Sequence, residues 1–231
     1  MKFKLDNNQN ISLEIVRKRN LKNIYLRVTP KGVQVSANKR VPLAEIEAFV
    51  LSKSAWLRKH LAVVEEKKKK QALVSGNEVY YQGEACLLIC QEHQLPQVEL
   101  EFKEQEFHIK MPKETEQEIL EELFNRFYKN RAIEFITPMV ELWSKKMSLT
   151  PTNIAFRKAK RQWGSCSSQN SLSFNYYLMK LPKHLIEYVV VHELAHIKEK
   201  NHSKNFWALV EQFLPNYKVL VKELREFERL L

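Results

Sequence analysis

Apolar and polar residues alternate through residues 11–37, "ISLEIVRKRNLKNIYLRVTPKGVQVSA". Ile24, Leu26 and Val28 fall on one side of an extended chain. Val33 and Val35 resume the pattern after a turn at Lys31–Gly32, so the spacing predicts a β-hairpin or meander. Over 42–62 the period lengthens. Pro42 stands just inside a start, and Ile46, Phe49, Val50, Trp56 and Leu57 recur near helical spacing. The run "EEKKKKQ" then reads as a solvated linker. Strand character returns in "EVYYQGEACLLIC", "QVELEF" and "EFHIKM", through about residue 111.

From 113 the texture changes. "KETEQEILEELFNRFYKNRAIEFITPMVELWSKKMS" predicts a long helix, rich in Glu first and Lys last as the helix dipole favours, with Pro138 expected to kink or split it. Two strand-like pieces, roughly 153–162 and 171–179, flank the small polar loop "GSCSSQNS" and predict a hairpin, with 171–179 as its edge strand. Pro182 opens a helix expected to end near Asn201. Ser203 offers an N-cap to a second helix that Pro215 closes, and "NYKVLVKELREFERLL" makes a last amphipathic one. No internal repeat is visible. The expected class is α+β, with a β-rich region carrying one amphipathic helix over 1–111 and a mainly helical domain over 112–231.

The chemistry concentrates in "VVVHELAHIKEKNHSKNFW", residues 189–207, which holds three of the chain's seven histidines. His192 and His196 are four residues apart on a helix, one turn plus about 40°, so both rings leave the same face. Zinc takes imidazole nitrogens at about 2.0–2.1 Å, and this pair is half of a zinc site. Glu193 is rotated about 100° from His192. It is placed to reach a water on the ion without ligating the ion. A catalytic zinc needs a third protein ligand and one open position. His202 is the first candidate, brought back by a turn for which Asn201 tolerates a left-handed conformation, and Glu211 is the rival. The three histidines keep metzincin spacing, but Glu199 occupies the glycine position of that motif, so the metzincin assignment fails.

Composition adjusts this picture only slightly. The 44% hydrophobic and 28% charged fractions are those of a globular chain. The longest apolar run, "ACLLIC", is far too short to span a bilayer, and no apolar segment near the amino terminus predicts a secretory signal. Three widely parted cysteines predict no disulfide framework and fit a reducing, cytoplasmic setting. A net charge of +11 makes nucleic acid a candidate partner, as does "RKAKRQW". Lys and Arg are nevertheless divided evenly between 1–110 and 111–231, which looks like a solubility property.

"RQWGSCSS", "SFNYYLMKLPKHLIEYVVVHELAHIKEKNHSKNFWALV" and "LPNYK" together resemble the YgjP-like metallopeptidases, relatives of the SprT-like and WLM peptidases in the zincin class. The specific match covers about residues 157–218, and Gln162 stands where an arginine is commoner. The resemblance implies a zincin-like domain with an edge β-hairpin, an HExxH helix and carboxy-terminal helices. It implies one zinc ion held by His192, His196 and His202, with Glu193 as general base. The expected function is therefore zinc-dependent hydrolysis of a peptide or protein substrate. The alternative is a nucleic-acid-associated module whose zinc is structural or latent. Arg161, Asn175, Tyr176 and Tyr177 are candidates for contacts to the substrate or transition state. Cys166 is a candidate fourth ligand that would close the site.

Overall fold

The computed structural model describes residues 2–5, 10–29 and 32–230, without the side chains of Lys2, residues 67–71 and Leu230. The turn expected at Lys31 lies outside the described residues. The architecture is mixed α+β, with three sheets and six α-helices among the described residues. Contacts divide the chain into Met1–Ala72 and Leu73–Leu231.

In the first unit, β1 (Lys2–Lys4), β2 (Asn10–Lys18), β3 (Tyr25–Thr29) and β4 (Gly32–Asn38) form a sheet ordered β1-β2-β4-β3. β2 and β4 run parallel, and each has an antiparallel outer neighbour. Alternation buries Val33, Val35 and Ala37 of β4 along one face. Ile46 and Val50 of α1 (Leu43–Ser52) and Leu57 of α2 (Ser54–Gln71) complete that core. The helix expected over 42–62 breaks at Lys53, where the buried Ser54 hydroxyl donates to Leu51 O at 2.6 Å. The expected linker "EEKKKKQ" is instead the last part of α2, because Glu and Lys are good helix formers.

The second unit begins with β5 (Glu78–Tyr81), β6 (Glu84–Glu92), β7 (Glu99–Lys103) and β8 (Glu106–Met111), ordered β5-β6-β8-β7. Its pairing senses match those of the first sheet strand for strand, and a helix follows each. A repeat therefore exists in topology without a visible sequence period. Cys86, Leu88, Phe107 and Ile109 share a core with Leu120, Phe124, Tyr128 and Ile136 of α3 (Gln117–Met147). The boundary expected near residue 111 thus falls inside this unit, because the sheet that ends there buries its apolar face against α3. α3 runs through Pro138 unbroken, and Tyr128 Oη donates to Tyr80 O of β5 at 2.6 Å.

β9 (Asn153–Arg157), β10 (Gly164–Cys166) and β11 (Ser171–Asn175) form the third sheet, ordered β10-β11-β9. The hairpin is β10–β11, shorter than expected, and β9 pairs parallel to β11 rather than across the loop. β11 is consequently the central strand, and β10 takes the edge place expected of 171–179. Residues Tyr176–Lys180 form a 3₁₀ turn. Then come α4 (Lys183–Lys198), α5 (Lys204–Phe213) and α6 (Tyr217–Leu230). β10 lies beside α4, whose Val190, Val191, Leu194 and Ala195 are buried in the same core as Leu172 and Phe174 of β11.

Candidate metal centre

α4 carries His192, Glu193 and His196 as its period requires. It ends at Lys198, three residues before the expected Asn201, where Glu199 adopts an extended conformation. Asn201 is not left-handed; the return is made by extended backbone and by Ser203 N donating to Asn201 O at 2.7 Å. The Ser203 hydroxyl accepts from Phe206 N at 3.3 Å, capping α5 as expected.

The turn brings His202 to the other two histidines. Nitrogens of His192, His196 and His202 all lie within 4.8 Å of one another, and Nε2 of His192 and His202 are 3.0 Å apart. Bonds of about 2.1 Å at tetrahedral angles would set such nitrogens roughly 3.4 Å apart, so the set fits a zinc ion with little adjustment. The far nitrogens are held as well. His196 Nδ1–H donates to Glu199 O at 2.9 Å, which leaves its Nε2 bare for a metal. His192 Nδ1 meets Tyr188 Oη at 3.2 Å. Phe206 stacks on His196 with ring centroids 4.4 Å apart, and Trp207 stacks on His202 at 5.6 Å. α5 thus orients two of the rings.

Electrostatics favour the neutral imidazoles that a cation needs. Burial, reinforced by His196 and His202, pulls the pKa of His192 down to about 3. His196 is lowered mainly by burial too. Glu193 is 6% exposed, and its Oε2 is buried without a hydrogen-bond partner. Burial raises its pKa to about 8. Such a carboxyl is prepared to exchange a proton near neutrality once a cation stands beside it.

Gly164 makes room for this carboxyl. A Cβ there would stand 2.5 Å from Glu193 Cγ and 2.7 Å from Oε1. A lone glycine in a strand pattern signals such a close approach, and "WGSC" held that signal. Lys200 gave no warning in the sequence. Its Nζ donates to Asn170 Oδ1 at 2.6 Å and Ser167 O at 3.0 Å, tying the β10–β11 turn to the segment that carries His202.

The remaining candidates have the following surroundings. Asn175 is buried and spends its side chain on backbone, donating to Ala159 O and Gln162 O and accepting from Tyr177 N. Tyr176 is buried, and Tyr177 Oη donates to Asn125 Oδ1 at 2.6 Å. Arg161 is exposed on the loop between β9 and β10. Cys166 lies outside the histidine group, with Sγ 3.7 Å from Lys200 Nζ, and burial raises its thiol pKa. Glu211 is exposed and outside the group.

The YgjP-like metallopeptidase-domain family matches this chain over residues 22–227. The chain belongs to that family. No curated protein matches it. Among solved structures, the metallopeptidase zymogen abylysin of Pyrococcus abyssi is 22% identical, with a TM-score of 0.37, covering 41% of this chain and 94% of that one. The metallopeptidase zymogen jannalysin of Methanocaldococcus jannaschii is 24% identical, with a TM-score of 0.36, covering 42% and 97%. These partial likenesses carry no residue role to this chain. No helix among the described residues is long and apolar enough to cross a membrane.

Proposed function

We propose that the chain is a zinc-dependent peptidase in which His192, His196 and His202 hold one ion and Glu193 is the general base. The observation that carries this reading is the buried carboxyl of Glu193, its Oε2 without a hydrogen-bond partner, on the helix that brings His192 and His196 together with His202. Zinc in that place supplies Lewis acidity, acidifying a water and polarising the scissile carbonyl. The protein's own residues do the rest. Glu193 accepts the proton of the attacking water and delivers it to the leaving amine. Glu199 O and Tyr188 fix two of the imidazoles, and Gly164 leaves the carboxyl its space. Among the described residues β10 pairs with β11 along one side only, so its free edge beside Glu193 suits an extended peptide added as a further strand.

A nucleic-acid module with a purely structural zinc would rest on net charge and on "RKAKRQW". Such a site has no use for a carboxyl kept buried with one oxygen unpartnered, which is costly to hold. The cytoplasmic setting rests on the free cysteines. The test is cleavage of a broad peptide library by the zinc-loaded protein and by Glu193→Gln. Cleavage by the wild type alone supports the peptidase. Equal inactivity with zinc bound in both would leave a structural or latent site as the better reading.

A further inference from the structure

Residues Arg157–Gln162, which join β9 to β10, line an open cleft of about 340 Å³. Four of the six, Arg157, Lys158, Lys160 and Arg161, are cationic. The loop is built rather than loose. Asn175 Nδ2 holds Ala159 O at 2.9 Å and Gln162 O at 3.3 Å, and Arg157 Nη2 donates to Ser165 Oγ of β10 at 3.0 Å. Beside it stands a fifth cation, Lys180, whose Nζ is 4.7 Å from the Tyr177 ring centroid and 5.6 Å from that of Tyr128. Lys158 Nζ is 5.4 Å from the same Tyr177 ring. Two ammonium groups therefore share one phenol.

None of these five cations forms an ion pair within 4 Å of a described carboxylate, and Glu121 gives Lys158 only a longer-range counter-charge. Lys180 is half-buried, and desolvation with the neighbouring charge of Lys158 lowers its pKa. Aromatic faces offset only part of the cost of burying a cation, and the like charges repel. An anion in the cleft would relieve both. Its position indicates which anion. The chain passes from the cleft through Trp163 to Gly164, against Glu193. A peptide paired along β10 and advancing about 3.3 Å per residue would leave the amino-terminal end of that strand toward the loop that bears the cleft. The cations gather on one six-residue loop and Lys180, whereas a nucleic-acid strand needs a groove that tracks successive phosphates.

We propose that this cleft is the subsite that receives an acidic side chain of the peptide substrate, an inference that rests on the peptidase reading above. The test uses the zinc-loaded full chain carrying Glu193→Gln, so that binding is read without turnover. Fluorescence anisotropy compares labelled peptides that differ only by Asp against Asn, or Glu against Gln, at each of three positions on either side of the bond. The acidic peptide should bind roughly tenfold tighter at one position, the scale of a charge-assisted contact. That preference should disappear in Lys158→Gln and Lys180→Gln and persist in Lys158→Arg. Lys158 is exposed, so its replacement leaves the core intact. Equal binding of acid and amide peptides, or a preference that survives Lys158→Gln, overturns the subsite. Displacement of the acidic peptide by far lower concentrations of a single-stranded oligonucleotide overturns it in favour of nucleic acid. An intact acidic preference with no cleavage of any peptide by the wild type sinks the hydrolase and leaves the subsite standing.

Discussion

Replacing Gly164 with alanine adds one methyl group beside the carboxyl proposed as general base. That methyl would lie 2.5 Å from Glu193 Cγ, 2.7 Å from Oε1 and 2.8 Å from Cδ, well inside contact distance for all three. Gly164 is not among the residues with positive φ, so alanine adds no backbone strain and the perturbation is purely steric. Glu193 must move by on the order of 1 Å to restore ordinary contacts, and buried sites resist such overpacking at about 1–3 kcal/mol. A displacement of that size at a reacting group costs about 10²-fold in rate. Urea unfolding and kcat/KM on the best peptide from the library read the two effects separately. In a Glu193→Ala background the clash has lost its partner, so the stability cost of Gly164→Ala should shrink well below its single-mutant value. A Gly164→Ala protein with wild-type activity and stability, or an undiminished cost in the double variant, refutes the role given to this glycine.

Three further predictions follow from the same geometry. In the metal-free protein the raised pKa of Glu193 means that the folded state holds a proton the unfolded chain releases. That stabilising contribution is complete below the unfolded carboxyl pKa and is lost as pH rises to about 8. Glu193→Gln should therefore gain stability over wild type with rising pH and level off above that value. The ceiling is about 5 kcal/mol at roughly 1.4 kcal/mol per pH unit, and water entry will reduce it; chelated samples unfolded in urea at pH 6 and 9 measure it. The opposite window of His192, lost as pH falls from its usual value toward about 3, is common to both proteins and cancels. Lys200→Met cuts the tie from the His202 segment to Ser167 and Asn170, and should weaken zinc binding about tenfold in a chelator competition, with Lys200→Arg recovering most of it. Unchanged affinity would make Lys200 ornamental. Ser203→Ala removes the α5 cap and should cost about 1 kcal/mol by thermal unfolding.

What could be read in the sequence was what depends on near neighbours. His192, Glu193 and His196 are set by helical period, and the Ser203 cap by its place before an apolar run, so spacing alone located them. His202 needed only a six-residue return. The route of that return was not legible, because the backbone closes through extended residues and Asn201 never becomes left-handed. Strand partners are chosen by contacts distant in sequence. The pieces 153–162 and 171–179 showed their extended character, but not that β9 would pair parallel to β11 and leave β10 at the edge. Asn175 illustrates the same limit in a side chain. A polar residue at a strand end can face a substrate or bind its own backbone, and here three hydrogen bonds take it for the backbone. The matching sheet orders of the two units involve backbone pairing that unrelated apolar alternations can produce, and no residue period records them.

The central claim is an open zinc site that performs chemistry. It is tested most directly by crystals of the zinc-loaded protein measured on both sides of the zinc absorption edge. The account predicts one anomalous peak per chain, bonded to nitrogens of His192, His196 and His202, with solvent at the fourth position and the Glu193 carboxylate beside that solvent. A peak whose fourth ligand is Cys166 Sγ, or one that lies away from the three histidines, would contradict it.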